Sequence, residues 1–161
     1  MDAIEALRKR RTVRRFTGAA IPREHLETIV DCARLAASGM NSQPWDFVVI
    51  TDGAMIQRIK GRAEWMADAG AVIAVVMDPA SRWWIEDGAA AIENMLLAAT
   101  ALGYGGCWLE GNSLRREDEL KIALGVPAEK RLMTLVPIGV PAEWPNKEKK
   151  TLAEVIHWEK Y

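Results

Sequence analysis

The densest group of chemically useful side chains lies near the N-terminus, where six of the eight residues from Arg8 to Arg15 are basic. Guanidinium groups match phosphate oxygens two at a time, and the hydroxyl of Thr12 adds a donor. The run therefore indicates an anion site. Two other interpretations stay open, a solvated helix end favoured by the helix dipole and a nucleic-acid patch. Val13 and Phe16, which are typical of a core, interrupt the basic run.

A second polar segment, Ser38 to Trp45, is rich in amides and hydroxyls and leads into an apolar run. Asn and Gln side chains each offer a donor and an acceptor, which suits a heterocycle with alternating carbonyl and N–H groups. The same residue types also explain an ordinary capping and turn segment. The pattern therefore indicates either a ligand loop or a turn.

Two further segments are candidates for binding. Glycines in Gly105–Gly111 would let the backbone approach a ligand closely, although a tight helix-to-strand turn explains them equally well. The segment Asn146–Lys150 is a solvated basic loop, or it supplies a second pair of cations to the anion bound by Arg8–Arg15.

Several common chemistries lack the residues they need. His25 and His157 have no Cys or second His at metal-ligand spacing, so we expect no zinc site. The sequence contains no nucleophile elbow, P-loop or dinucleotide-binding glycine motif, and no hydrolytic triad is evident. If the protein is an enzyme, a bound cofactor would have to supply the reactivity.

Length and composition predict a single globular domain over residues 1–161, since half the residues are hydrophobic and 27% are charged. The net charge of −1 argues against a dedicated nucleic-acid binder. Cys32 and Cys107 are too few for a disulfide framework, and the N-terminus has no apolar signal segment. The longest apolar run, Ala71–Met77, is too short to span a bilayer. We therefore expect a cytoplasmic protein that binds neither membranes nor nucleic acid.

Hydrophobic periodicity predicts helices and strands in alternation. Helices are expected over 2–10, from Pro22 to Ser38-Gly39, around 54–66, over 86–102 and over 114–124. Strands are expected over 46–52, 71–77, 106–109 and 132–140. The strand 71–77 lacks alternation and should be buried on both faces, whereas Pro137 predicts an edge or bulged strand. About four strands covered by helices fit an α/β or an α+β fold, and periodicity does not choose between them.

Taken in order, these segments resemble the nitroreductase family of FMN flavoproteins, nearly from end to end. The resemblance rests on Arg10-Arg11-Thr12-Val13-Arg14, Asn41–Phe47, the helix Asp87–Ala99, Ala101–Gly105, Pro137–Pro141 and the lysine-rich approach to Leu152–Val155. Each piece alone is modestly specific, and their order and spacing make the match specific.

The resemblance implies an α+β nitroreductase-like fold with a central mixed or antiparallel sheet flanked by helices. It implies a homodimer with FMN at the subunit interface and the C-terminal tail crossing to the partner. The implied reaction has two half-reactions, in which NADH or NADPH passes hydride to flavin N5 and an electron-poor acceptor then takes the electrons. That acceptor would be a nitroaromatic, a quinone or a flavin, and no side chain need act as acid or base.

The resemblance also assigns roles to particular residues. The phosphate and ribityl end of FMN would be held by Arg10, Arg11, Thr12 and Arg14. The same phosphate or the ring edge would be reached by Lys147 and Lys149. The flavin of the other subunit would be lined by Ser38, Gly39, Met40 and Asn41, with Gln43 bonding near the ring. Beside the ring would lie Leu109, Glu110 and Gly111, with the Gly111 N–H near flavin N5.

The chain is short for this family, because only Asp78–Ile85 separates a predicted strand from the longest predicted helix. Lid helices of longer members are therefore absent or reduced, and the substrate channel would be open or walled by Trp83 and Trp84. Other reductive reactions on the same FMN site stay open, such as dehalogenation, enoate reduction or flavin fragmentation. A flavin-binding protein without turnover and a nucleic-acid binder using residues 8–15 are the alternatives from other classes.

Overall fold

The computed structural model describes residues 1–161 except for the side chain of Asn112, and it is an α+β arrangement of strands and helices. The strands are β1 (Trp45–Ile50), β2 (Ala71–Met77), β3 (Gly105–Gly106) and β4 (Arg131–Gly139). The helices are α1 (Ala3–Lys9), α2 (Arg23–Arg34), α3 (Gly53–Ile59), α4 (Trp84–Ala101), α5 (Glu110–Leu114) and α6 (Glu117–Leu124). Short 3₁₀ turns occur at Gly39–Asn41, Glu64–Asp68 and Leu152–Glu154.

The four strands form one sheet in the order β1-β2-β4-β3, and each neighbouring pair is antiparallel. The antiparallel form of the expected sheet is therefore confirmed. A parallel pairing occurs as an isolated bridge between Thr12 and Gly106. All seven residues of β2 are buried, which confirms the strand predicted from its unbroken apolar run.

Both faces of the sheet are covered by helices. On one face, α2 and α4 contribute side chains such as Ile29 and Met95, which form one buried cluster with Ile73 of β2. On the other face, α3 and α6 contribute Ile59 and Leu120 to a second cluster. Each large apolar side chain buried in these clusters stabilises the fold by about 1.5–3 kcal/mol, so the two clusters hold the helices against the sheet.

The proline strand is bulged but is not at the edge. β4 has β2 on one side and β3 on the other, so of the two predicted alternatives, an edge or a bulged strand, the edge position is not the one observed. The register between the two longer strands shifts between Val75 and Val76, so Met133 of β4 has no partner there, which confirms the bulge. Pro137 itself lies opposite Val72.

Pro137 also explains why β3 is shorter than the strand predicted over 106–109. Cys107 N–H donates to Pro137 C=O at 3.1 Å. In an antiparallel strand the N–H and C=O of one residue point to the same side. Proline has no N–H, so Pro137 cannot return a hydrogen bond to Cys107. Regular pairing stops after Gly106 and resumes where Leu109 N–H donates to Leu135 C=O at 3.0 Å.

Three predicted helix boundaries were wrong. The helix expected over 54–66 ends at Ile59, and the chain turns at Gly61, whose φ of 55° lies in the left-handed region. The helix expected over 114–124 begins at Glu117, after the separate helix α5. Its predicted end is confirmed, because Gly125 adopts a left-handed C-cap with φ 67°. The second helix ends at Arg34, before the predicted stop.

The basic segment near the N-terminus runs in extended form along the end of the sheet. Val13 N–H donates to Gly106 C=O at 3.0 Å, and Thr17 N–H donates to Val140 C=O at 3.0 Å. Val13 and Phe16 are buried, whereas Arg14 and Arg15 are exposed. The apolar residues that interrupt the basic run therefore anchor it, and the cations project outward from a fixed backbone.

Candidate functional site

The two basic segments line one cavity of about 490 Å³, although the sequence separates them by some 130 residues. The lining residues are Arg10, Arg11, Thr12, Arg14, Arg15, Glu143, Pro145, Lys147, Glu148 and Lys149. We call it the cationic cavity. Every residue that we expected to bind the phosphate therefore lies at this one site, with six cations against two carboxylates.

Direct hydrogen bonds hold the two segments together. Arg11 Nε donates to Lys147 C=O at 3.2 Å, which joins the segments, and Arg11 Nη1 donates to Arg8 C=O at 2.8 Å within its own segment. The backbone is also joined, because Ala142 N–H donates to Arg15 C=O at 2.9 Å. Arg11 therefore fixes the geometry of the cavity, which leaves its neighbours to meet a ligand.

Two carboxylates that sequence reasoning missed orient cations of the cavity. Arg10 Nε lies 3.0 Å from Glu93 Oε1 on α4, and only 19% of the Arg10 side chain is exposed. Arg15, which belongs to the predicted basic run but has no role implied by the family resemblance, pairs with Glu143 at 3.1 Å. Only folding brings these partners together, so spacing in the sequence gives no signal for either pair.

Arg14 lies beside a buried thiol at the end of β3. Burial raises the pKa of the Cys107 thiol, and the Arg14 guanidinium opposes that rise by its charge and a hydrogen bond. Because burial is the larger effect, Cys107 favours the protonated form, which is a poor nucleophile. Cys32 and Cys107 are both free thiols.

The predicted ligand loop from Ser38 to Gln43 has an unusual backbone. Met40, Asn41 and Gln43 have φ values of 54°, 56° and 47°, a region that side-chain-bearing residues seldom occupy. Such strain persists only where surrounding contacts hold it, and it is common at functional sites. A turn that served only to reverse the chain would not need three such residues.

The N-terminal part of α4 holds this loop in place. The buried carboxylate of Asp87 accepts a hydrogen bond from Gly39 N–H at 2.9 Å and lies 3.5 Å from Ser42 Oγ. Within the loop, Gln43 N–H donates to Ser38 Oγ at 3.1 Å. Sequence reasoning placed Asp87 only in the helix motif, because nothing in its position reveals a contact with a loop 48 residues away.

The two adjacent tryptophans point to different surroundings. The indole of Trp83 lies against the backbone of Gly39 so closely that a Cβ there would be 2.1 Å from Trp83 Cε3. Trp83 is 37% exposed and contacts Arg82 at 5.4 Å from its ring centroid. Trp84 is half-buried against the core and lies under Arg131. Only Trp83 is therefore placed beside the predicted ligand loop.

The third predicted segment leads from β3 into α5. Ser113, which sequence reasoning missed, is fully buried and donates to Leu109 C=O at 2.6 Å while accepting from Leu135 N–H at 3.1 Å. These bonds fix the start of α5 against β4. Glu110 and Gly111 are exposed, and Gly111 lines a cavity different from the cationic one.

Within one chain, the predicted cofactor residues therefore occupy separate places. Those expected at the phosphate are together, whereas the loop from Ser38 lies at α4 and Gly111 lies in the first turn of α5. Among the described residues, no group of three or more His, Cys, Asp and Glu side chains could hold a metal ion. No helix in the described part of the chain is long and apolar enough to cross a membrane.

Fold and site together define an α+β protein that carries a cationic cavity at the edge of an antiparallel sheet. The chain belongs to the nitroreductase family, whose sequence model matches residues 7–63 and 57–140. It is therefore an oxidoreductase of that family.

Individual relatives agree with this assignment. A protein of Methanothermobacter thermautotrophicus, provisionally named NADH dehydrogenase/NAD(P)H nitroreductase, is 30% identical over all of this chain and 88% of its own length. A Bacteroides thetaiotaomicron structure of the same provisional name is 26% identical with a TM-score of 0.90, covering 99% and 98% of the two chains. A Desulfovibrio desulfuricans structure, provisionally a nitroreductase in complex with FMN, is 28% identical with a TM-score of 0.87 and covers 100% and 98%.

Proposed function

We propose that the chain is an FMN-dependent enzyme that takes hydride from NADH or NADPH and reduces an electron-poor acceptor such as a nitroaromatic, a quinone or a flavin. The observation that carries this proposal is the cationic cavity, which joins Arg10, Arg14, Lys147 and Lys149 around one concavity. The name of the Methanothermobacter thermautotrophicus relative supports NADH or NADPH as the hydride donor. The FMN complex of the Desulfovibrio desulfuricans structure supports FMN as the cofactor.

The chemistry of the cavity fits the phosphate end of FMN. A phosphate monoester carries close to two negative charges and three acceptor oxygens, and guanidinium groups bind such oxygens through charge-assisted hydrogen bonds. Arg10 is already oriented by Glu93, and the Thr12 side chain is exposed to donate its hydroxyl. Because Arg11 is engaged with backbone carbonyls, its role is to shape the cavity as well as to add charge.

When bound, FMN supplies the hydride-accepting and electron-donating chemistry that the side chains lack. The residues of this chain hold, orient and electrically balance it. Gly111 is exposed, and a Cβ added there would meet no atom within 4 Å, so a planar ring can approach its backbone. Cations near a cofactor that gains negative charge on reduction favour the reduced state.

A homodimer would complete the site. The loop around Met40, whose side chain is 89% exposed, lies apart from the cationic cavity of its own chain. The tail after Thr151 exposes Leu152, Val155 and Trp158 at 71%, 55% and 76%. Apolar surface of this kind is stabilised by covering it, and a second copy could do so while bringing its loop to the first chain's flavin.

The direct test is the colour and redox response of purified protein. We expect FMN to copurify or to bind on addition, and the yellow colour of its oxidised form to bleach under anaerobic NADH or NADPH. An added quinone or nitroaromatic should restore the absorbance. A flavoprotein that neither donor bleaches would be a binding module, and a colourless protein that binds DNA in a salt-sensitive way would refute the proposal.

A further inference from the structure

The cavity beside Gly111 contains a group of arginines that the proposed function does not use. It has a volume of about 740 Å³ and is lined by Gly61, Arg62, Gly111, Arg115 and Arg116. None of the described residues that line it carries a carboxylate. We call it the arginine cavity. It is distinct from the cationic cavity and opens at the residue expected beside the flavin ring.

One of the three arginines is fixed by its neighbours. Arg116 donates to both carboxylate oxygens of Glu119, at 3.0 and 2.6 Å, and Arg116 Nη1 donates to Ile59 C=O at 2.8 Å. Only 20% of its side chain is exposed. Arg116 therefore forms a rigid wall between α3 and α6, with its charge partly balanced.

The other two arginines have no such partners. Arg62 and Arg115 are exposed, and neither makes a hydrogen bond or an ion pair with the parts of the chain that the structure describes. Two exposed arginines of α2 are paired by contrast, Arg23 with Glu27 and Arg34 with Asp31. Two unpaired guanidinium groups at one concavity concentrate positive potential there.

We propose that Arg62 and Arg115 bind an anionic group, a phosphate or a carboxylate, on a substrate that reacts over the flavin. This inference rests on the proposed function, since Gly111 places the arginine cavity at the ring only if FMN binds there. Guanidinium forks recognise both oxyanions in the same bidentate way. The group could belong to the donor, as the 2′-phosphate of NADPH, or to the acceptor, as the carboxylate of an aromatic acid.

The test compares substrates that differ only in this charge. With the FMN-loaded protein, kcat/KM is measured for NADPH and NADH, and for 4-nitrobenzoate and nitrobenzene. In one of the two substrate pairs, kcat/KM for the charged substrate divided by kcat/KM for the neutral one should fall about tenfold in the double variant Arg62→Gln/Arg115→Gln. This is the effect expected when charge-assisted hydrogen bonds are lost. Arg62→Lys/Arg115→Lys should recover part of it. Arg34→Gln, an exposed arginine on α2, is the matched control.

Calorimetry gives a readout that does not depend on turnover. Binding of 2′,5′-ADP against 5′-AMP, and of 4-nitrobenzoate against 4-nitrobenzyl alcohol, should show the same loss in the double glutamine variant. A loss confined to the phosphate pair assigns the group to the donor, and one confined to the carboxylate pair assigns it to the acceptor. If all ratios match those of Arg34→Gln, the proposal is wrong. An inactive wild type would instead count against the proposed function, and the calorimetry would still show whether Arg62 and Arg115 bind the anionic group.

Discussion

At the residue scale, Trp83 and Trp84 illustrate how adjacent identical side chains acquire different roles. Trp84 begins α4 and packs against the core, so its indole contributes mainly to stability. Trp83 precedes the helix and lies over the Gly39 backbone, where glycine is required because a Cβ would overlap the indole ring. Trp83 therefore adjoins the strained loop that we expect to line a flavin.

We predict that Trp83→Ala changes the KM for the acceptor or the order of acceptor preference, because it removes a planar wall from the substrate site. FMN content and melting temperature should stay close to wild type. Trp84→Ala is the comparison variant and should lower the free energy of unfolding by about 2 kcal/mol, less than a fully buried Trp would. If both variants lose several kcal/mol and keep the wild-type acceptor profile, Trp83 is a structural residue.

Individual residues also show what the sequence can and cannot reveal. The basic residues at 10–15 and 147–149 are visible as runs, and their types alone indicate an anion. Glu93, Asp87 and Ser113 are not visible in this way, because their roles depend on partners brought together by the sheet and α4. The family resemblance predicted cofactor contacts, and the residues that orient those contacts came only from the structure.

At the scale of elements, α6 is fastened to β4 by a carboxylate. Glu117 accepts hydrogen bonds from Arg131 at 2.7 and 2.8 Å and from Leu132 N–H at 3.0 Å, and 14% of its side chain is exposed. The Arg131 hydrogen bonds, helped by the other contacts and opposed by burial, lower the pKa of Glu117 below its ordinary value of 4.5. The folded state therefore prefers the ionised carboxylate.

We predict that Glu117→Gln lowers the free energy of unfolding at neutral pH by about 1.5–3 kcal/mol, the scale of hydrogen bonds to a charged group. A lowered folded-state pKa gives stability that is present above the unfolded pKa and lost as pH falls through the folded one. The gap between wild type and variant should thus shrink below about pH 4.5. Urea titrations at several pH values measure the difference in the free energy of unfolding between wild type and variant. A difference that is constant from pH 7 to 3 would contradict this role of Glu117.

Element types were more predictable than their ends. The unbroken apolar run of β2 and the apolar stripe of α4 identify both elements, since burial on two faces or on one helix stripe leaves a direct pattern. The end of β3 depends on Pro137 in a strand that follows it by some 30 residues, and sequence reasoning had no way to pair them. A helix end was predicted correctly where its cause lies at that position in the sequence, as with Gly125 at the end of α6.

At the scale of the whole molecule, the tail is the feature least explained by a single chain. Residues 151–161 are exposed apart from the half-buried Ile156, yet they include Val155 and Trp158. Exposed apolar side chains concentrated in one segment mark an interaction surface. A second copy of the chain is the partner that the proposed function requires.

We predict that deleting residues 151–161 yields a monomer or an aggregate and releases flavin. Val155→Ser/Trp158→Ser should weaken the dimer in the same direction without shortening the chain. Light scattering coupled to size exclusion gives the mass, and absorbance gives the flavin content. Removal of residues 159–161 alone serves as the control, and a truncated protein that stays dimeric and yellow would refute tail exchange.

The central claim is that Arg10, Arg14 and Lys147, which lie near opposite ends of the sequence, bind one phosphate. Calorimetric titration with FMN and with riboflavin tests this claim most directly. Wild type should bind FMN far more tightly than riboflavin, which lacks the phosphate. Arg10→Ala and Lys147→Ala should each weaken FMN binding by about 1.5–3 kcal/mol while leaving riboflavin binding little changed, and Arg23→Ala should alter neither. Equal wild-type affinities for the two flavins, or unchanged FMN affinity in Arg10→Ala and Lys147→Ala, would contradict the account.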